Sequence, residues 1–197
     1  MTKQTVRSVL DDFAVSRAVL VLAFAWGLAE ATFFFIVPDV LLTLIACRAI
    51  KPALKATVAA LAGALAGGTM MYIFGARDAE AARTFLDHVP AIKPALITTV
   101  AGQISDSGLV AVLIGPLKGI PYKVYAVEWG ARDGSFLPFL LISIPARYIR
   151  FVLASLGARG IARVIEPLTD HRPAIEISIL TIIWAAFYGY YFLHFGW

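Results

Sequence analysis

Charged residues are scarce in this chain, and cysteine is almost absent. Only 15% of the 197 residues are charged, whereas 60% are hydrophobic. This balance excludes an ordinary soluble domain, in which about 25% of residues are charged. We therefore expect a single polytopic membrane domain with lipid-facing surface. The one cysteine, Cys47, excludes an intramolecular disulfide and a cysteine-rich metal site, and we expect no metal or cofactor.

Basic charge is also limited. The formal net charge is +4, and the basic residues do not cluster on one polar element, so we expect no nucleic-acid partner. Long stretches carry no charge at all, and a membrane span needs about 20 such residues. The predicted order is an amphipathic segment (1–17), a first re-entrant hairpin (18–50), a span (56–76), an amphipathic linker (77–93), a second re-entrant region (94–130), a span (135–157) and a last span (173–197).

Two acidic residues and a proline interrupt the apolar sequence of the N-terminal third. Glu30, Pro38 and Asp39 lie between residues 18–29 and 40–47, which carry no charge. An acidic side chain at membrane depth costs about 2.5–3.5 kcal/mol and therefore indicates a functional site. Because proline breaks a helix, we expect the chain to enter the membrane, break at Pro38 and turn back. Both carboxylates can then face one cavity.

A second interruption carries charges of the opposite sign. Residues 115–123 contain Pro116, Lys118, Pro121 and Lys123 in apolar surroundings. The apolar run before them is too short to cross a membrane. This pattern predicts a second broken segment.

Arg147 and Arg150 lie three residues apart and so share one helix face. With Lys118 and Lys123 they give four cations against two carboxylates. A surplus of positive charge beside helix breaks suits a phosphate or phospholipid head group. Two alternatives stay open: the charges only pair with one another, or the basic side chains extend to the membrane surface. The carboxylates either carry protons coupled to transport or neutralise the lysines.

The distribution of basic residues favours a cytoplasmic N-terminus, since more lysines and arginines then lie inside than outside. In that topology the two broken segments enter from opposite faces, and each is followed by a span. Transporters built from inverted repeats have this plan, with the substrate site at the broken helices. We therefore expect an all-α protein with two opposed re-entrant hairpins, each followed by a transmembrane helix, and a C-terminal transmembrane helix.

These motifs, in this order, resemble the DedA family of SNARE-associated or VTT-domain membrane proteins, and most closely its shorter YqaA-like branch. The resemblance covers residues 20–160. It rests on Glu30 followed by aromatic residues and Val37–Asp39, on the small-residue span ending in Gly67–Gly75, on Gly115–Lys123 and Gly130, and on Pro145–Phe151.

The resemblance implies a flippase or scramblase of the bacterial inner membrane that moves undecaprenyl phosphate or a phospholipid, with acidic residues linked to the proton-motive force. Glu30 and Asp39 match the acidic pair of the first hairpin. Arg147 and Arg150 match the basic pair of the YqaA-like branch. Lys118 and Lys123 fall where the family often has arginines around a proline; lysine does not grip phosphate bidentately as arginine does.

We expect a lipid transporter rather than an enzyme, with anionic membrane lipids and protons as partners. All three histidines lie outside the broken segments, and Cys47 has no histidine nearby in sequence, which disfavours a lipid-modifying enzyme. A non-transporting assembly or scaffold protein is the main alternative. Gly63 and Gly67 form a GxxxG face of the kind that packs membrane helices, and a homo-oligomer is also compatible with the sequence.

Overall fold

The computed structural model describes residues 16–165, 167 and 173–195, and these residues form helices with no β-strand among them. The all-α prediction is therefore confirmed for this part of the chain. Two of the described helices are long and apolar enough to cross a membrane, Ile50–Arg77 and Phe136–Ile165. The predicted amphipathic segment 1–17 lies outside the described residues except for its last two positions.

The helices are α1 (Arg17–Glu30), α2 (Asp39–Arg48), α3 (Ile50–Arg77), α4 (Ala79–Asp87), α5 (Pro94–Ser107), α6 (Leu109–Ile114), a 3₁₀ turn (Gly115–Lys118), α7 (Tyr122–Gly130), α8 (Phe136–Ile165) and α9 (Pro173–Phe195). The span predicted at 56–76 falls within the longer helix α3, and the span predicted at 135–157 falls within α8 except for its first residue. The last predicted span, 173–197, corresponds to α9, whose apolar part is Ile177–Leu193.

Helices α1 and α2 form a hairpin around the first predicted break. The Ser16 hydroxyl accepts from the Val19 amide (3.4 Å) and caps α1. The helix ends at Glu30, and Pro38 directly precedes α2. Between them the Trp26 indole donates to the Ile36 carbonyl (2.9 Å). The chain therefore folds back beside the end of α1.

Small residues allow α3 to pack closely against both the first hairpin and α7. Gly27 of α1 lies against the Ala60 backbone, and Ala31 lies against Gly67, so α1 and α3 run in the same direction. Helix α2, which follows α1 and precedes α3 in the chain, must therefore run in the opposite direction. On another part of α3, Gly75 lies against the Val127 carbonyl of α7. Small residues allow such close backbone approach, which supplies van der Waals contact between apolar helices.

Residues 94–130 reverse direction twice, whereas the sequence pointed to a single break at 115–123. The extra reversal is at Gly108, whose φ of 54° lies in the region that glycine adopts without strain. The Tyr125 hydroxyl donates to Gln103, and the Tyr125 ring also packs on Gly115. One side chain can contact both positions only if α5 and α6 fold against each other. The second reversal, after the 3₁₀ turn, leads into α7.

Helix α4 folds back along the end of α3 through contact between Phe85 and Phe74. It lies in the linker predicted at 77–93, and its buried residues Ala82 and Leu86 form one face. Helix α8 runs antiparallel to α3. Its N-terminal Phe139 stacks on Tyr72 near the end of α3, whereas Ala158 lies beside Cys47, just before α3 begins. The middle of α8 thus lies at the level of both helix breaks.

We expect Gly63→Ala to lower the stability of the protein by about 1–3 kcal/mol, the usual cost of overpacking. A Cβ at this position would overlap the Phe24 carbonyl of α1. Gly102→Ala is the matched control, because its Cβ would meet no atom within 4 Å and alanine favours a helix. Thermal unfolding in detergent measures both. Equal melting temperatures for the two variants would contradict the close packing of α1 on α3.

Candidate functional site

Glu30 and Arg147 form a buried ion pair between the end of α1 and the middle of α8. Arg147 Nη2 donates to Glu30 Oε2, across 117 positions of sequence. The Arg147 side chain is fully buried and that of Glu30 nearly so. Taking two charges out of water is costly and is offset only by good geometry and further polar contacts. The surroundings of this pair therefore decide what it can do.

Aromatic rings enclose the Arg147 guanidinium. Its central carbon lies 5.3 Å from the centre of the Tyr122 ring and 4.8 Å from that of Phe151. Both are within the range of favourable cation–π contact. Among the described residues, Nε and Nη1 of Arg147 have no hydrogen-bond partner. The guanidinium thus keeps two buried donors for water or a ligand oxygen.

Asp39 and Arg150 form the second ion pair, one helical turn along α8. Arg150 Nη2 donates to Asp39 Oδ2 at 3.0 Å. Asp39 is the first residue of α2, directly after Pro38, and a carboxylate is favoured at a helix N-terminus. Its other oxygen, Oδ1, is buried and accepts no hydrogen bond from the described part of the chain. This pair therefore also retains unused polar capacity.

The two lysines differ in position. Lys123 is buried, and its Nζ donates to the Phe34 carbonyl in the turn of the first hairpin (2.7 Å). It forms no ion pair with the described side chains. Lys118 is exposed, at the end of the 3₁₀ turn. Lys123 thus ties the second break to the first, whereas Lys118 stays accessible.

A cavity of about 240 Å³ opens where the broken segments meet. Glu30, Lys118, Lys123, Arg150 and Tyr188 are among its lining residues. Asp39 and Arg147 join this group of residues through ion pairs: Asp39 pairs with Arg150, and Arg147 pairs with Glu30. The six predicted charged residues therefore belong to one assembly, four positive and two negative. The predicted breaks frame it: Pro38 precedes α2, Pro116 lies in the 3₁₀ turn, and Pro121 precedes α7.

One alternative from the sequence fails for two of the basic residues. Arg147 and Lys123 are buried, so neither extends to a membrane surface. The other alternative, mutual pairing, holds for the two carboxylates, each of which has an arginine partner. Pairing does not account for Lys123 or Lys118. The assembly keeps positive charge beyond what its own carboxylates neutralise.

Sequence reasoning missed two contributors. Tyr188 accepts from the Val37 amide (2.8 Å) and so holds the turn of the first hairpin against α9. Glu128, fully buried on α7, accepts two hydrogen bonds from Arg83 of α4 (2.6 and 2.8 Å). These hydrogen bonds raise the pKa of Arg83 above its ordinary value. A lone carboxylate in apolar sequence is the signal that singled out Glu30, and it applies equally to Glu128.

Comparison with known proteins gives one relative and no family. No protein-family model matches the chain, and no solved structure matches it. A curated protein of Haemophilus influenzae, described as an uncharacterized protein, is 27% identical over 165 residues, which is 83% of each chain. The chain is thus similar to another protein over most of its length, and that similarity assigns no activity.

We expect the Glu30–Arg147 pair to behave as a unit in a double-mutant cycle. Glu30→Gln and Arg147→Met should each cost about 3–5 kcal/mol, because each leaves a buried charge unpaired. The double variant should lose much less than the sum of the two. Thermal unfolding in detergent measures all three, with the exposed Asp106→Asn as a control for charge removal. Additive losses would show that the two side chains do not interact.

Proposed function

We propose that this protein is an integral membrane transporter that moves an anionic lipid head group, such as that of undecaprenyl phosphate or a phospholipid, through the cavity between its broken segments. The observation that carries the proposal is the charge assembly around that cavity. It combines two buried carboxylates with four cations, and one cation, Lys123, is buried and has no carboxylate partner in the part of the chain that the structure describes. An added anion would complete the charge balance.

Polar capacity in the assembly supports the same function. Two nitrogens of Arg147, Nε and Nη1, and one oxygen of Asp39 are buried and unused by the described residues. Arginine donors match phosphate oxygens well. Competition between a lipid phosphate and the carboxylates for Arg147 and Arg150 would open the ion pairs as the head group passes. Proton uptake by a carboxylate released in this way is a route to coupling with a proton gradient.

The apolar helices support a membrane location. Helices α3 and α8 are long enough to cross a bilayer, and the breaks lie near their middle. Backbone that departs from helix at membrane depth must be covered by protein or line a cavity. The turn at 31–38 meets this condition, because the Lys123 ammonium and the Tyr188 hydroxyl bind its backbone atoms. Gly119 and Pro121 of the second turn line the cavity. A re-entrant arrangement of both segments follows in this proposal.

The proposal places the chain in the DedA family, in the YqaA-like branch, on the motifs given above. It also places the chain in a bacterial inner membrane with a cytoplasmic N-terminus. The main alternative is a non-transporting assembly protein held together by the same ion pairs. The close glycine contacts of α3 lie within the protein, against α1 and α7. They therefore offer little support for a surface that recruits a partner helix.

We expect the purified protein to speed translocation of fluorescent phosphatidylglycerol in phosphatidylcholine vesicles. Dithionite, which bleaches the outer leaflet only, measures the rate. Glu30→Gln and Asp39→Asn should each slow translocation at least about tenfold, the effect of losing about 1.4 kcal/mol of specific interaction. Each removes the charge that positions an arginine in the cavity.

Asp106→Asn is the matched control and should keep the wild-type rate, because Asp106 is an exposed carboxylate outside the cavity. Wild-type rates in both cavity variants would refute a role for the carboxylates. A wild-type protein that moves neither phosphatidylglycerol nor a prenyl phosphate would favour the assembly role instead.

The topology is tested separately by cysteine labelling in a Cys47→Ser background. We expect Lys93→Cys to react with a membrane-impermeant maleimide added outside cells, and Lys51→Cys to react only after the cells are opened. Both side chains are exposed in the structure, so burial does not confound the comparison. Labelling of position 93 only in opened cells would overturn the proposed orientation.

A further inference from the structure

An apolar groove of about 300 Å³ lies between α2, α8 and α9, separate from the charged cavity. Thr43, Ala154, Gly157, Ile183 and Trp184 are among its lining residues, and none of the residues that line it is charged. Leu153 and Ile161, at its edge, are largely exposed. The groove is therefore open to the outside of the protein at these two residues.

The few polar groups in the groove are already occupied within the protein. The Trp184 indole donates to Thr43 Oγ1 (3.0 Å), and the Thr43 hydroxyl donates to the Asp39 carbonyl (2.7 Å). These groups offer no free hydrogen bond to a ligand. The groove thus presents only apolar contact, which a hydrocarbon chain satisfies through close packing.

On each of three helices, a residue of the groove lies one helical turn from a residue of the charged assembly. On α2, Asp39 pairs in the charged assembly and Thr43 lines the groove. On α8, Arg150 lines the cavity and Ala154 the groove. On α9, Tyr188 lines the cavity and Trp184, stacked on it at 5.9 Å, lines the groove. Four residues correspond to about 6 Å along a helix, so the two sites lie about one helical turn apart.

We propose that this groove holds a hydrocarbon chain of the same lipid whose anionic head group occupies the charged cavity. The proposal rests on the proposed function and adds to it a recognition site for the lipid tail. An amphiphile with a negative head and an apolar chain fits both sites at once, the head against Arg150 and Lys118 and the chain against Trp184 and Ile183. A water-soluble phosphate would fill only the first.

Glycine 157 makes the groove testable without disturbing the fold. A Cβ built on Gly157 meets no atom within 4 Å, although this residue lines the groove. A Cβ there overlaps no protein atom, and a leucine extends from it into the space that the hydrocarbon chain would occupy. Gly160 lies on the same helix, is equally unobstructed, and does not line the groove. Gly157→Leu and Gly160→Leu are therefore a matched pair.

The experiment uses the purified full-length chain in phosphatidylcholine vesicles with increasing amounts of phosphatidylglycerol brominated on its acyl chains. Bromine quenches tryptophan on contact, and the Trp184→Phe variant provides the background from the other tryptophans. Brominated phosphatidylcholine at the same mole fraction reports contact with bulk lipid. We expect phosphatidylglycerol to quench Trp184 more strongly than phosphatidylcholine does in the wild type and in Gly160→Leu.

In Gly157→Leu the mole fraction for half-maximal quenching should rise about tenfold, a loss of about 1.4 kcal/mol of binding, because the leucine takes the place of part of the chain. If this variant does not fold, Ala154→Leu blocks the same groove and decides the question. Unchanged quenching in the blocked variant, or equal quenching by the two lipids in a wild type that still translocates phosphatidylglycerol, overturns the groove and leaves the proposed function standing. Absence of both translocation and lipid preference in the wild type overturns the two together.

Discussion

The ion pair between Glu30 and Arg147 is the constraint on which the rest of the structure depends. It joins the point where α1 ends to the middle of the longest helix, and both side chains are buried. Buried charges are tolerated only when they are paired and well surrounded. The rings of Tyr122 and Phe151 supply part of that surrounding. Tyr122 in turn begins α7, so the pair fixes the position of the second broken segment as well as the first.

The second ion pair and Lys123 extend this constraint around the cavity. Arg150 holds the start of α2, and Lys123 holds the turn before it through the Phe34 carbonyl. Each break in the helices is thereby tied to a charged side chain from another segment. In the proposed function, these ion pairs hold the site while they stay intact and would open when an anion competes for the arginines. That combination suits passage of a head group better than its permanent binding.

The sequence singled out the charged residues that the structure brings together, because a charge in apolar sequence is costly and has to be explained. How they pair was not visible. Glu30 and Arg147 are 117 positions apart, and Asp39 and Arg150 are 111 apart, so their pairing depends on how α8 packs against both halves of the hairpin. Lys118 and Lys123 look alike in sequence, yet only Lys123 is buried. It lies in the first turn of α7, which packs against α3. The reversal at Gly108 was missed because no proline marks it.

A head-group site built from the buried charges is tested most directly by which lipid the purified protein retains. Native mass spectrometry measures this in a mixture of phosphatidylglycerol and phosphatidylcholine. Lys123→Met removes the buried cation that has no carboxylate partner among the described residues, and Lys55→Met, on the exposed side of α3, removes a cation elsewhere. We expect the wild type and Lys55→Met to retain phosphatidylglycerol preferentially, and Lys123→Met to lose this preference. Equal preference in all three proteins would contradict a head-group site built from the buried charges.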